Sequence, residues 1–391
     1  MTLSDKAKLV TGLAFNKLAD LLVSAKSTLP ALMLMVGAPP WMIGWLVPIR
    51  ESGALLPQAA LGMLLRRYAP RHPVWRTGML IQIASVMVMV LSALTLSGSS
   101  AGYTILAALV TLSLGRSACS LTFKDIEASV VPKGERGRLI GIASTVSGVT
   151  TLIVAVPLVY FQKQLGDGVT TGLIVIAALA FFLSFVFVFG LKTYVENENS
   201  DNSRHTSFWQ FDAVVYRFVL VRGLFVHSAL VAPYFMLESG YDAQRLLPLY
   251  LAAQAGATML SSMVWGALAD RSAVRTLQLS GGLAVLACVG LLVLDVQSLW
   301  ISGALFFVLS IAHAGVRTGR KTYSLDVKEG QGRTELVAFS NTAIGIILLA
   351  FGALYAALTP LLSFSVVYIM TAVLVVAVLL SVALPKEKGG E

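Results

Sequence analysis

Charged side chains inside long apolar stretches are the residues of this sequence that could do chemistry. The nine basic ones are Lys17, Lys26, Arg50, Arg116, Lys124, Arg222, Arg317, Arg320 and Lys321. The five acidic ones are Asp20, Glu51, Asp125, Glu127 and Asp326. An ion within a bilayer costs about 2.5–3.5 kcal/mol even on the mildest scale, so these groups must face one another, water or a charged ligand. Nine minus five leaves four positive charges in excess, which favours an anion in a polar cavity.

The depth of each charge along its apolar stretch indicates which charges could pair. Asp20 and Arg116 lie about 16 and 15 residues from the same end of their stretches, and Lys26 and Glu51 lie about 11 and 12 residues from a shared turn. The sequence therefore predicts the ion pairs Asp20–Arg116 and Lys26–Glu51. Arg50 precedes Glu51 and must point elsewhere, towards substrate or another carboxylate. Fixed packing contacts are the alternative interpretation of both pairs.

The second half of the chain contributes histidines and arginines to the same prediction. His313 lies four residues before Arg317 and therefore on the same helical face. A histidine can titrate near neutral pH and carry a proton, whereas hydrogen-bonded packing is the alternative for each. The predicted substrate-binding or coupling residues are Asp20, Lys26, Arg50, Glu51, Arg116, His227, His313, Arg317 and Arg320.

Twelve apolar stretches must position these side chains. The chain of 391 residues is 57% hydrophobic and 13% charged with a mean hydropathy of +0.80, so its solvent is lipid. The predicted membrane helices span residues 8–36, 40–65, 75–97, 102–129, 136–162, 170–192, 213–237, 244–269, 275–294, 298–326, 335–358 and 362–384. They leave no room for a separate soluble domain. We predict an all-α integral membrane protein.

The second half repeats landmarks of the first. Arg116 and Asp125 recur as Arg317 and Asp326 with an offset of 201, since 317 − 116 = 201. The ten residues from position 62 recur from position 266 with an offset of 204. The repeat predicts two pseudo-symmetric six-helix bundles, with the site between them. The predicted bundles are residues 1–193 and 213–391, joined by a polar cytoplasmic linker over residues 194–212.

The distribution of basic residues predicts the orientation. Eighteen of the 29 Lys and Arg residues fall on one alternating set of loops and tails, and only Lys163 and Arg245 fall on the opposite loops. The positive-inside rule therefore predicts that both termini are cytoplasmic. It also accounts for the net charge of +9 without a nucleic-acid partner. We expect a monomer in a bacterial inner membrane.

The loop Gly266-Ala-Leu-Ala-Asp-Arg-Ser-Ala-Val-Arg275 carries a resemblance to a known family. It resembles the cytoplasmic motif Gly-x-Leu-x-Asp-Arg-x-x-x-Arg/Lys of the major facilitator superfamily. The segment Leu112-Ser-Leu-Gly-Arg116 is similar to a second motif of that family, with only the Leu and the Arg retained. The resemblance implies a secondary transporter in which two bundles rock about a central site.

The same resemblance implies a cytoplasmic gate. The glycine of the motif would permit close helix packing, and Asp270 would form an ion network with Asp326 or a neighbouring helix end. In the first-half copy of the loop, Arg66 stands where the family has Asp, so these arginines could instead only fix the topology. The predicted gate residues are Gly62, Arg67, Arg71, Asp125, Gly266, Asp270, Arg271, Arg275 and Asp326.

The sequence contains no motif that indicates an enzyme or a binding protein for nucleotides or metals. There is no nucleotide-binding loop, metal-ligand spacing or hydrolase elbow, so we predict neither an enzyme nor a cofactor or metal. The fifth stretch lacks the Gly-Pro-x-x-Gly-Gly pattern of family drug antiporters. We predict alternating-access transport of a small anionic or zwitterionic organic solute, with proton coupling left open. The alternatives are efflux of amphipathic drugs or lipids, and a membrane sensor without transport activity.

Overall fold

The structure is a computed structural model that describes residues 4–58, 61, 71–131, 136–161, 166, 168–191, 213–240, 242–294, 298–326 and 330–385. All regular secondary structure in these ranges is helical. The helices of the first half are α1 (Asp5–Leu22), α2 (Thr28–Met35), α3 (Pro40–Ile43), α4 (Leu46–Leu55), α5 (Arg71–Thr95), α6 (Gly98–Val130), α7 (Arg136–Tyr160) and α8 (Gly168–Phe189). Those of the second half are α9 (Ala213–Leu224), α10 (His227–Leu230), α11 (Ala232–Glu238), α12 (Ala243–Arg271), α13 (Ala273–Val293), α14 (Leu299–Asp326), α15 (Gly330–Leu358) and α16 (Val367–Ser381).

These helices follow one another as twelve segments. Segment 1 is α1 with α2, segment 2 is α3 with α4, segments 3 to 6 are α5 to α8, segment 7 is α9 with α10 and α11, and segments 8 to 12 are α12 to α16. Within the described ranges, segments 3 to 7 and 9 to 11 are long and apolar enough to cross a membrane, and segment 12 is apolar but shorter. Segments 1, 2 and 8 do not meet that criterion. Segments 1 and 2 contribute five of the seven charged residues that line the cavity described below.

Segments 1 and 7 are broken at equivalent places. Pro30 and Pro233 align the two segments with an offset of 203 residues. With that offset, Leu22 at the end of α1 corresponds to residue 225, and α9 ends at Leu224. Both segments then end at a glycine with positive φ, Gly37 at 73° and Gly240 at 64°. Because only glycine adopts that backbone region without strain, the two turns are built in the same way.

Side chains satisfy the backbone groups that the breaks release. In segment 1 the Ser24 hydroxyl accepts a hydrogen bond from the backbone N–H of Lys26 at 3.2 Å. In segment 7 Nδ1 of His227 donates to the Leu224 carbonyl at 2.8 Å, because a carbonyl oxygen can only accept. Each broken segment is therefore a fixed bend, since its free polar groups are bonded locally.

The two halves pack by the same plan. In the first half, segment 3 packs on 4, 1 on 6, 2 on 4, 3 on 6 and 1 on 5. In the second half, the equivalent pairs 9 on 10, 7 on 12, 8 on 10, 9 on 12 and 7 on 11 recur. The most extensive contacts between the halves are themselves equivalent, segment 2 against 11 and segment 5 against 8. This repetition of pairings is the structural counterpart of the repeat in the sequence.

Small residues allow the halves to approach closely. A Cβ added to Gly148 of segment 5 would lie 2.8 Å from the Met259 Cγ of segment 8. A Cβ on Gly345 of segment 11 would lie 2.6 Å from the Leu56 Cγ next to segment 2. Glycines at both interfaces thus let opposing side chains pack against the helix backbone, as is common between helices in lipid.

Candidate functional site: a charged cavity between the halves

A cavity of about 330 Å³ lies between the two halves. Segments 1, 2, 4 and 5 line it from the first half, and segments 7, 8 and 10 line it from the second. Its charged lining residues are Lys17, Asp20, Lys26, Arg50, Glu51, Arg116 and Arg317. Five cationic and two anionic side chains leave an excess of three positive charges, since 5 − 2 = 3. The site predicted from the sequence is therefore assembled at one place, with exceptions given below.

Asp20 is the centre of an ion cluster on the first half's side of the cavity. Arg50 Nη2 donates to Asp20 Oδ1 at 2.6 Å, and Arg116 Nη1 donates to the same oxygen. We call Asp20, Arg50 and Arg116 the Asp20 cluster. The predicted pair Asp20–Arg116 is confirmed, as is the prediction that Arg50 points away from Glu51 towards another carboxylate. Charge-assisted bonds of this kind are the strong class of protein hydrogen bonds.

The second predicted ion pair is wrong as a direct contact. No ion pair within 4.0 Å joins Lys26 and Glu51, although both are described and both line the cavity. Lys26 is still the strongest electrostatic partner of Glu51, followed by Arg320 of segment 10. The depth count assumed one continuous helix through position 26, whereas α1 ends at Leu22. The break alters both the rise and the rotation of the chain, so Lys26 does not meet Glu51 side by side.

A polar contact between the halves was missed by the sequence reasoning. Gln254 Oε1 of segment 8 accepts hydrogen bonds from Ser24 Oγ at 3.1 Å and from Ser27 Oγ at 3.2 Å. We call these three residues the clasp. Ser24 and Gln254 line the cavity, and Ser24 and Ser27 lie between Asp20 and the end of segment 1 that is predicted to be external. Nearer that end, Tyr234 lies against Gly44 of segment 2. The only signal in the sequence was a single amide in the run Ala252-Ala-Gln-Ala-Gly256.

Lys17 is a further lining residue that was left out of the predicted site. It precedes Asp20 by three residues, so that it lies one helical turn away on the same face. That spacing was visible in the sequence. Hydroxyl groups of segments 5, 8 and 10 also line the cavity, from Ser147, Thr258 and Ser310. They had no distinguishing pattern among the many serines and threonines of apolar helices.

The second half contributes His313 and Arg317 to the cavity. Nδ1 of His313 lies 3.1 Å from the Ser228 hydroxyl of segment 7, so this hydrogen bond ties segment 10 to the bend of segment 7. Arg317 is exposed and makes no ion pair or hydrogen bond with another described residue. Arg320 is not a lining residue, but it acts on Glu51 through its charge.

His227 lies outside the cavity. Its side chain is fully buried, with Nδ1 on the Leu224 carbonyl and Nε2 at 2.6 Å from the Tyr355 hydroxyl. The Phe351 ring packs edge-on against it, with ring centroids 4.4 Å apart. Because both nitrogens are bonded within segments 7 and 11, this placement favours the packing alternative over proton transfer.

Arg222 explains part of the charge excess seen in the sequence. It is 9% exposed and donates from Nη1 to Ser340 Oγ at 2.5 Å and from Nη2 to Asn341 Oδ1 at 2.8 Å. These neutral acceptors lie on segment 11, away from the cavity. Two nitrogens of this buried guanidinium thus bond to neutral dipoles, whereas its Nε is buried without a described hydrogen-bond partner.

The predicted gate residues fall into two groups. Gly62 and Arg67 lie outside the described residues, as do the side chains of Arg71, Asp125 and Asp326. The motif residues Gly266, Asp270, Arg271 and Arg275 lie at the junction of segments 8 and 9, where Ser272 Oγ accepts from the backbone N–H of Arg275 at 3.3 Å.

The structure does not support the packing role of the motif glycine. A Cβ on Gly266 would meet no described atom within 4 Å, so the prediction of close packing there is wrong among the described residues. Asp270, Arg271 and Arg275 are exposed, and none of them forms an ion pair with another described residue. The ion network with Asp326 stays a prediction.

Solved structures of transporters are similar over nearly the whole chain. The inward-open xylose transporter XylE from E. coli is 14% identical with a TM-score of 0.67, and the alignment covers 98% of this chain and 96% of that one. The nucleoside transporter NupG is 11% identical with a TM-score of 0.69, with 97% and 98% covered. These similarities confirm the predicted all-α membrane fold of twelve helices in two bundles.

A bacterial homologue of the iron transporter ferroportin is similar in two states. Its inward-facing structure gives a TM-score of 0.68 at 15% identity, with 97% of this chain and 98% of that one covered. Its outward-facing structure gives a TM-score of 0.58 at 16% identity, with 98% and 99% covered. No curated protein sequence matches the chain significantly.

A family model settles the family. The model described as Major Facilitator Superfamily matches residues 22–303, which is more than half of the chain. The match runs from the end of α1 through the cavity-lining helices into segment 10, and thus includes both halves. It confirms an integral membrane transporter rather than an enzyme. The chain belongs to the Major Facilitator Superfamily.

Proposed function

We propose that this protein is a secondary active transporter of a small organic anion or zwitterion. The observation that carries the proposal is the excess of three positive charges on a cavity enclosed between two apolar bundles. A low-dielectric cleft of one sign concentrates ligands of the opposite sign and disfavours those of the same sign. At about 330 Å³ the cavity lies at the lower end of ligand-site volumes, which suits a small metabolite.

The lining chemistry separates this proposal from the substrates named for the similar structures. Those proteins are named as transporters of xylose, nucleosides and iron. A metal cation would need oxygen ligands, yet Asp20 is engaged by two arginines and Glu51 faces Lys26 and Arg320. A neutral sugar or nucleoside would leave the positive excess uncompensated. An anion supplies the missing charge.

The arrangement supports alternating access from an inward-facing state. The described hydrogen bonds between the halves, those of the clasp, lie on the side of Asp20 that faces the end predicted to be external. The greater similarity to the inward-facing than to the outward-facing ferroportin homologue points the same way. We propose that both termini are cytoplasmic, that residues 194–212 link the bundles, and that the motif residues around Asp270 form the gate at the cytoplasmic end.

Proton coupling, a monomeric state and a bacterial inner membrane belong to the same proposal. Asp20, Glu51 and His313 are the lining groups that could exchange a proton within the cavity. His227 is the weaker candidate because its two ring nitrogens are engaged in packing contacts.

The test is transport by the purified protein in proteoliposomes. A panel of labelled solutes pairs each organic acid with its neutral amide: acetate with acetamide, benzoate with benzamide, and succinate with succinamide. We expect at least one acid to exchange across the membrane at least tenfold faster than its amide, with protein-free liposomes as the control. Transport restricted to lipophilic cations or lysolipids would support efflux of amphipathic compounds instead. Binding of an acid without exchange would support a sensor.

A further inference from the structure

Arg50 is a buried cation with only part of its hydrogen-bonding capacity used. The residue is 7% exposed, lines the cavity, and spends Nη2 on Asp20. Its Nη1 is buried without a hydrogen-bond partner. An unpaired polar atom on a buried ion is costly, and such atoms in native structures commonly mark the place of a ligand or water. Arg50 therefore has unused donor capacity beside Asp20.

Arg116 offers a second guanidinium next to the first. It shares Asp20 Oδ1 with Arg50, so one carboxylate oxygen holds both arginines. The Arg116 side chain is 39% exposed and also lines the cavity, which leaves nitrogens available to a solute. Two guanidinium groups fixed around one oxygen match the planar, two-oxygen geometry of a carboxylate.

We propose that Arg50 and Arg116 form the subsite for a carboxylate group of the transported solute, and that Asp20 is its specificity-determining counter-ion. This inference rests on the proposed transport of an organic anion. Asp20 holds the two arginines in place and offsets part of their charge. A solute carboxylate must therefore compete with Asp20 for the same donors, so that weakly bound inorganic anions are rejected.

The other cavity cations are poorer candidates for this subsite. Arg317 is exposed, and its field is weakened by the higher dielectric around it. Lys26 is balanced by Glu51, its strongest electrostatic partner. The Asp20 cluster alone, among the described lining residues, combines a nine-tenths buried guanidinium with a free buried nitrogen.

The experiment compares two carboxylates that line the same cavity. Benzoate is the probe, with benzamide as its neutral match, and dissociation constants are measured by calorimetry on the protein in nanodiscs. D20N is expected to tighten benzoate binding about tenfold or more, because the neutral Asn oxygen is a weaker acceptor than a carboxylate and competes less for the two arginines. E51Q removes the same charge from the same cavity but bonds to neither arginine, so it is expected to tighten benzoate binding only through the general field, and at least threefold less than D20N does. Equal tightening by both variants would mean a general field effect and would overturn the subsite.

A second pair of variants decides the question if D20N does not fold. R50K keeps the charge beside Asp20 but removes the planar fork, and is expected to weaken benzoate binding about tenfold. R317K makes the same change at the exposed arginine and is expected to have less than a threefold effect. Unchanged binding in R50K, or a larger loss in R317K, would overturn the inference.

The failure of this inference differs from the failure of the proposed function. If benzoate binds neither the wild type nor D20N while another acid of the transport panel is exchanged, the subsite fails and anion transport stands. If no acid of the panel is exchanged and only neutral or cationic solutes are, the proposed function fails with it.

Discussion

The two halves share a scaffold but differ in how they treat their charges. Arg116 of segment 4 and Arg317 of segment 10 are equivalent by the offset of 201, and both line the cavity. The first is fixed to Asp20, whereas the second is exposed and has no described ion-pair partner. The residue equivalent to Asp20 is Gly223, since 20 + 203 = 223. The second half thus lacks the carboxylate that organises the first.

Segments 2 and 8 differ in a similar way. Arg50 and Gln254 are equivalent, since 254 − 50 = 204, and both reach segment 1 from opposite sides of the cavity. Arg50 forms an ion pair within its own half, whereas Gln254 forms neutral hydrogen bonds across to the other half. A charged contact within a half is suited to hold ligand-binding groups in place. Neutral contacts between halves are weaker, which suits contacts that must break in each transport cycle.

The largest expected effect on transport comes from substituting the two equivalent arginines one at a time. R116Q should reduce the rate of anion exchange about 100-fold, because it removes one donor of the subsite and leaves Asp20 with a single partner. R317Q should reduce it about tenfold, because it removes only the longer-range attraction of an exposed charge. The measurement is the exchange rate in proteoliposomes of the acid that exchanges fastest in the transport panel. Equal losses in the two variants would remove the functional difference between the halves.

The second effect concerns the clasp. Q254A removes two hydrogen bonds between the halves, each contributing about 1 kcal/mol, and should shift the equilibrium towards the outward-facing state about tenfold to 30-fold. The reporter is a cysteine introduced at the cavity residue Val47, labelled by an impermeant thiol reagent from outside. Q82A is the matched control, since Gln82 bonds to Cys119 within the first half only. Faster labelling in Q82A than in Q254A would show that the clasp does not keep the external end of the cavity closed.

The third expected effect concerns stability. It compares glycine-to-alanine substitutions at helix contacts in the two halves. A Cβ on Gly115 of segment 4 would lie 2.7 Å from the Gly78 carbonyl, whereas one on Gly319 of segment 10 would lie 3.1 Å from the Ala273 carbonyl. G115A should lower the free energy of unfolding by about 1–3 kcal/mol and G319A by less, because the Cβ added at Gly115 would lie closer to a backbone carbonyl, which cannot move aside as a side chain can. G141A is the control, as its Cβ would meet no described atom within 4 Å, and alanine there should be neutral or stabilising by up to about 1 kcal/mol. Thermal unfolding in detergent measures the order of stability of the three variants.

The sequence predicted the pair of Asp20 and Arg116 but not the break in segment 1. The count for Asp20 also ran through the break between α1 and α2, yet the pair forms because the long arginine side chain reaches the carboxylate. Lys26 lies in the break of segment 1, where the count no longer measures depth, and its predicted contact with Glu51 is absent. The clasp was out of reach because no repeat or motif specifies which faces of segments 1 and 8 meet.

The smallest expected effect on transport comes from the loop motif. Here the two acidic residues at opposite ends of segment 8 are compared. Asp270 is exposed near its last turn, at the end predicted to be cytoplasmic, and Asp242 caps its first turn by accepting from the backbone N–H of Gln244 at 3.1 Å. D270N should slow exchange about threefold to tenfold, because an ion network that forms only in the outward-facing state would lose one charge.

The loss in D270N should appear only in transport and not in stability. In the structure Asp270 has no described ion-pair partner, so the inward-facing state loses nothing when the charge is removed. D242N is the matched control, because asparagine caps a helix as well as aspartate does and should leave exchange unchanged. If both variants exchange at the wild-type rate while folding normally, the motif serves only to set the topology, through the positive charges of Arg271 and Arg275. A loss in D270N accompanied by a lower unfolding temperature would instead assign Asp270 to a static contact.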